Sequence, residues 1–335
     1  MPTVRVAAAL ALAALATAAR AADPIVVKLG TLAPSGSAWH EILNDLGRRW
    51  REVSGGAVVL KVYAGGTQGS EGDMIRKLRV GQLQAVAITN VGMNDVTAEP
   101  KGLSLPLLFA TDREADCTLA ALGPELDAAL LRRNYVVLHW SSLGAMHVFC
   151  TASRTRPADM AGAKLFAQDG DPEANDAWRA AGFRPVVLSS TDMLPALQTG
   201  MIDCLPNVPI YVLTTRLYEK ARHMMDLPWG HLFGATIVRR DVWEKIPEGL
   251  RPKLREAARE TGRAADAELR RLTADALEVM RKKGLEVDRA DPAPWRELVA
   301  ALHPKLRGTV VPAPFFDRLM AARSSCAASA ATPAH

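Results

Sequence analysis

The sequence predicts an α/β protein built as two lobes, on three observations. First, 335 residues exceed one ordinary core, since domains commonly run to roughly 100–200 residues. Second, the β-branched run 25–29 and the run 58–63 flank an amphipathic segment, a βαβ opening typical of a covered parallel sheet. Third, residues 157–207 read as strand, helix, strand, helix, strand. With 49% hydrophobic and 23% charged residues the chain has the material for packed lobes and does not read as disordered.

The elements follow in order. Residues 1–21 carry Arg5 as the only charge before Arg20, an apolar run over 6–15, and a small-x-small site at Ala19-Arg20-Ala21. This is expected to be a signal peptide cleaved near Ala21, sending the protein to the periplasm. The run is shorter than the ~20 residues of a spanning helix, and no cysteine lies near the cut to make a lipoprotein.

After the strand at 25–29, Gly30-Thr31-Leu32-Ala33-Pro34 turns the chain into a helix starting near Ser35–Ser37, with Trp39, Ile42, Leu43, Leu46 and Trp50 on one face. The strand 58–63, a Gly-rich loop 65–72, a helix 73–80 and a strand 85–89 come next, the last expected to open on a cleft. A strand at 136–140 leads through Ser141-Ser142-Leu143-Gly144 into the second lobe. There the strands 163–166, 184–188 and 201–204 alternate with helices 172–181 and 191–199. Residues 234–238 read as a return strand and 250–283 as a long helix whose only interior glycine is Gly262. A shorter helix is expected at 292–306 and a disordered tail at 324–335. The lobes are thus expected to comprise 22–143 with 232–265, and 144–231 with 266–323.

Several motifs point elsewhere and fall short. The 65–72 loop lacks both the G-K-[ST] ending of a phosphate loop and the G-x-G-x-x-G of a dinucleotide site, so it reads as a turn. His40-Glu41 starts a zinc-protease pattern, but the second histidine position is Asn44. No G-x-S-x-G elbow occurs, so nucleophilic catalysis has no support. Asp169, Asp171 and Glu173 read as a capped helix start, with Asp171 as N-cap, or as a loop able to hold a cation. The net charge of +5 is spread through mixed-sign segments such as 251–271, which excludes a nucleic-acid partner. Cys117, Cys150, Cys204 and Cys326 contain no C-x-x-C; Cys150 and Cys204 either pair or stay as buried thiols.

The runs RPADMAGAKLF (156–166) and ALQTGMIDCLPN (196–207), with G-x-L-x-A at 81–85, resemble the substrate-binding proteins of tripartite ATP-independent periplasmic (TRAP) transporters. The resemblance covers nearly the whole chain after residue 25. It implies a type II periplasmic-binding-protein fold, with a long C-terminal helix across both lobes. It also implies closure around one solute and delivery to TRAP membrane subunits. A branch of such proteins works with a tetratricopeptide-repeat partner, which this chain is expected to share.

The carry-over departs from the family where charge is expected. The carboxylate-clamping arginine is replaced by Phe166, a second arginine position by Met146, and charged positions after the third strand by Thr89 and Gly92. Asn207 matches a ligand-contacting asparagine. A buried carboxylate without a cationic partner costs on the order of several kcal/mol, so the ligand is expected to be neutral or apolar-leaning. Phe166, Asn207, Met146, Trp39, Thr89, Asn90, Tyr211 and Trp229 are the expected ligand residues, with Leu32 beside them. No catalytic residue, metal or cofactor is expected. The alternatives are an organic acid held by backbone donors or by a metal on Asp169 or Asp171, and an enzyme using His40 or His231.

Overall fold

Residues 23–169 and 172–331 are described by the computed structural model. The expected signal peptide and the expected cap Asp171 lie outside them. The first half runs β1 (Ile25–Thr31), α1 (Ala38–Val53), β2 (Val58–Tyr63), α2 (Glu71–Arg79), β3 (Ala85–Thr89), α3 (Asp112–Arg132) and β4 (Tyr135–Cys150). The chain continues through α4 (Pro157–Met160), β5 (Lys164–Gln168), α5 (Pro172–Ala180), β6 (Arg184–Leu188), α6 (Met193–Gln198), β7 (Cys204–Asn207) and α7 (Pro209–Thr214). It ends with β8 (His223–Met225), β9 (Gly230–Arg239), α8 (Arg240–Lys245), α9 (Arg251–Lys282), β10 (Glu286–Asp288), α10 (Pro292–Leu306) and α11 (Ala313–Ala331).

The strands follow the order β2-β1-β3-β9-β4-β7-β5-β6, with β8 joining β4 to β10. β1 pairs in parallel with β2 and β3, as a βαβ opening requires. β9 runs antiparallel between β3 and β4. β5 pairs in parallel with β6 and β7. Each half has its own core: Val27, Leu29, Leu46 and Trp50 of β1 and α1 pack with Trp243 and Leu254, while Phe149, Phe166, Leu205 and Met224 anchor another.

Three expectations are corrected. The passage at 141–144 is no loop: β4 is one 16-residue strand that pairs with β9 along most of its length, with register shifts at Val137/His139 and Ser142/Gly144. The strand expected at 201–204 begins at Cys204, because Met201 and Ile202 spend their N–H groups on Ala196 O after the left-handed Gly200. The tail expected to be disordered is helical to Ala331, and Cys326 within it is disulfide-bonded to Cys117 of α3. A tether to α3 supplies the order that the tail's small, polar composition did not signal. Cys150 and Cys204, opposite each other on β4 and β7, form a second disulfide.

α9 lies along α1, β4 and α7, so one helix touches both halves of the chain. Its Gly262 has a steric cause, since a Cβ there would meet the His139 ring at 2.0 Å. Glycine inside a helix costs about 1 kcal/mol relative to alanine, and here it makes room for a side chain of β4.

Candidate functional site

The strand ends and helix starts enclose a cavity of about 360 Å³, within the roughly 300–1,000 Å³ usual for small-molecule sites. Leu32, Trp39, Glu71, Thr89 and Met146 contribute from β1 through β4, and Phe166, Asn207 and Tyr211 from the elements that follow. Trp229 and, from α9, Gly262, Ala265 and Leu269 complete the wall. The charged or titratable side chains among the described lining residues, apart from Tyr211, are Glu71, Lys101 and His139.

Seven of the eight expected ligand residues line this cavity, all but Asn90. Trp39, on the first turns of α1 behind the Ser37 cap, lies 6.5 Å from the Tyr211 ring. Trp229 packs against Trp178, Phe183 and Trp295 at 5.5, 6.1 and 5.6 Å, an aromatic cluster that leaves it 6% exposed. Phe166 is as much core as wall, packed with Phe149 and Met193. Asn207 ends β7; its Oδ1 accepts from Val208 N–H at 2.9 Å, and its amide NH2 has no hydrogen bond among the described residues.

Asn90 does not reach the cavity. It is fully buried and donates to Pro100 O at 3.0 Å and Ser104 Oγ at 2.6 Å, while its Oδ1 accepts from Phe233 N–H at 3.1 Å. Its position next to Thr89 at the end of a strand marked it as a ligand residue, but alternation along the strand sends it into the protein.

Thr89 faces an unanticipated partner. Glu71 Oε1 accepts from Thr89 N–H at 2.7 Å and Oε2 from Thr89 Oγ1–H at 2.8 Å. Thr89 Oγ1 in turn accepts from Gly92 N–H at 3.1 Å. A Cβ at Gly92 would stand 2.1 Å from Glu71 Oε2, so glycine is what lets the carboxylate sit there. Burial pushes Glu71 up to about 7, against the pull of the Thr89 hydrogen bonds. Burial first, and the Glu71 charge second, push the Tyr211 phenol up to about 12.

Sequence reasoning missed Glu71 because its context has a plainer meaning. The left-handed Gly66 and Gly69 shape the loop, and Ser70 and Asp73 form a capping box at the start of α2. An acidic residue between them reads as an exposed partner of the helix dipole. The fold instead turns it inward, 3% exposed.

The histidines of the enzyme alternative are engaged elsewhere and do not line the cavity. His40 Nδ1 accepts from Gly36 N–H at 3.0 Å. His231 Nε2 is 2.9 Å from Asp112 Oδ1, and that hydrogen bond holds Asp112 below the usual carboxylate range. Among the described residues, His223, Glu286 and Asp288 form the one group with metal-ligand spacing. They sit on β8 and β10, outside the cavity lining, with His223 Nδ1 hydrogen-bonded to Asp288 Oδ2 at 3.2 Å. No helix among the described residues is long and apolar enough to cross a membrane.

Comparison with known proteins gives a consistent picture. Residues 29–308 match the family model DctP, bacterial extracellular solute-binding protein, family 7. The C4-dicarboxylate-binding periplasmic protein DctP of Rhodobacter capsulatus is 26% identical, over 85% of this chain and 87% of its own. The sialic acid-binding periplasmic protein SiaP of Vibrio cholerae is 21% identical, over 88% and 92%. Among solved structures, the sugar acid binding protein of Advenella mimigardefordensis, in complex with galactonate, superposes with a TM-score of 0.85 at 17% identity, over 90% of this chain and 99% of that one. A TRAP periplasmic solute binding protein of Xanthobacter autotrophicus with bound β-D-galacturonate gives 0.83 at 19% identity, over 89% and 99%. At these identities the likeness carries the fold and not the ligand.

Proposed function

The chain belongs to the bacterial extracellular solute-binding protein family 7, and from that premise we propose that it is the periplasmic receptor of a TRAP transporter for a small, neutral or apolar-leaning solute. Its two lobes, 22–143 with 232–265 and 144–231 with 266–323, close around that solute and present it to the membrane subunits. A tetratricopeptide-repeat protein fits the same route as an acceptor of the loaded receptor. Loading and delivery are coupled because a partner that prefers the closed form selects the receptor that holds solute.

The observation that carries the ligand reading is the wall itself. Leu32, Trp39, Met146, Phe166 and Trp229 present apolar surface, and no arginine stands among the described lining residues. The solved relatives hold sugar acids such as galactonate and galacturonate. A carboxylate in this cavity would meet Lys101 as its one lysine or arginine among the described residues, and Glu71 as a repelling charge. Asn207, with its unused amide N–H groups, supports a neutral polar end instead.

The test is mass spectrometry of the small molecule that copurifies with protein exported by its own host. A neutral or mainly apolar compound is expected. Micromolar binding of succinate or malate by calorimetry would overturn the ligand reading.

A further inference from the structure

One group in the cavity lacks a counterpart. Glu71 lines it, is almost fully buried, and forms no ion pair among the described residues. Its donors from Thr89 are neutral, and a carboxylate offers about four acceptor sites, so accepting capacity remains. Two further lining residues have buried donors with no hydrogen bond, the Trp39 indole N–H and the Ser190 hydroxyl; His139 Nε2, also buried and without a hydrogen bond, lies 3.8 Å from Asp266 Oδ2. Buried polar atoms are nearly always paired, so three groups around one cavity call for a ligand that supplies one donor and at least one acceptor.

Resting on the receptor reading above, and giving its apolar-leaning solute a basic end in place of a neutral one, we propose that the solute carries a protonated amine docked on Glu71, an apolar body against Trp39, Phe166 and Tyr211, and an acceptor oxygen for Trp39 or Ser190. An ammonium on a buried carboxylate forms a charge-assisted hydrogen bond and cancels a charge that is otherwise costly to bury. A hydroxyl donor would supply no charge to balance an ionised Glu71, and a carboxylate ligand would bring a negative charge of its own.

The electrostatics agree. Burial holds the Glu71 carboxyl well above its ordinary value because nothing cationic offsets it, and nearby Asp169 adds to the effect. Tyr211 faces it as a neutral phenol, and Lys101 and His139 line the same cavity. An amine arriving near pH 6 therefore ionises Glu71 and expels a proton.

The experiment is isothermal titration of the wild-type protein and Glu71→Gln with three probes of one shape: tyramine, the neutral alcohol tyrosol, and para-hydroxyphenylpropionate. Glutamine keeps an acceptor for Thr89, and thermal melts confirm that the variant is folded. Tyramine is expected to bind at least about tenfold tighter than tyrosol, with the acid weakest, and Glu71→Gln is expected to remove that preference. At about pH 6 the heat of tyramine binding should vary with the buffer's ionisation enthalpy in the wild type alone. Equal or tighter binding of the alcohol or the acid, or an unchanged preference in Glu71→Gln, overturns the amine while leaving the receptor intact. No heat from any probe also overturns it. A copurified solute without a basic nitrogen does the same and upholds the receptor.

Discussion

Glu71 and Thr89 meet twice, through the Thr89 N–H at 2.7 Å and the Thr89 hydroxyl at 2.8 Å. The double contact ties the start of α2 to the end of β3. It also gives two residues one purpose: Thr89 supplies the hydrogen bonds, and Gly92 supplies the space that any side chain would fill.

Stability should fall as pH rises through neutrality. Glu71 is raised from 4.5 to about 7 in the folded protein, so the native state holds a proton that the unfolded chain gives up above about pH 4.5. The contribution is complete below that pH and lost as pH climbs through 7. The ceiling is roughly 3 kcal/mol, at 1.36 kcal/mol per pKa unit. Urea unfolding of the wild type and Glu71→Gln between about pH 5 and pH 8 measures it. Identical slopes for the two proteins would dispose of the idea.

Gly262→Ala should destabilise, although alanine favours helix by about 1 kcal/mol. The new methyl meets the His139 ring, and overpacking of this kind costs about 1–3 kcal/mol. Adding His139→Ala should recover much of the loss. A double-mutant cycle by denaturant melts reads the coupling, and additive effects would show that the contact is not its source.

Much of the fold was legible in the chain. The strands 58–63, 85–89 and 184–188 and the helix 292–306 coincide with β2, β3, β6 and α10, because alternation and helical stripes are local signals. What the sequence could not state was which side of a strand end faces the cavity. Thr89 and Asn90 are neighbours with the same polar character, yet one lines the site and the other is fixed among Pro100, Ser104 and Phe233. The inward turn of Glu71 depends on Gly92, 21 positions later, and so escapes any window on the sequence. α3 had no counterpart among the sequence expectations, and α11 was obscured by the small residues of its second half.

Asn90→Ala and Asn207→Ala should therefore separate stability from binding. The first leaves Phe233 N–H and two acceptors unpaired in the interior, for a loss of about 2–4 kcal/mol, without changing the affinity of folded protein for its copurified solute. The second should weaken that affinity about tenfold with a smaller change in melting. Reversed outcomes would exchange the roles assigned here.

Cys326→Ser should lower stability by about 2–4 kcal/mol, because it releases a bond spanning 209 residues. Denaturant melts without reductant measure the loss. Limited proteolysis should then cut first within α11. An unchanged midpoint and digestion pattern would mean that the helix is held by Phe315, Phe316 and Leu319 alone.

β4 and β9 run side by side from one core to the other and are cross-bonded along most of that distance. Paired strands bend across their flat face far more readily than they shear or twist, so the link acts as a leaf spring. The irregularities at Val137/His139 and Ser142/Gly144 are where such a spring yields. Under the receptor reading, opening would follow that one bending direction against the stiffness of the paired strands. Changes in spring stiffness would alter how often the receptor is ready without touching an atom that contacts solute.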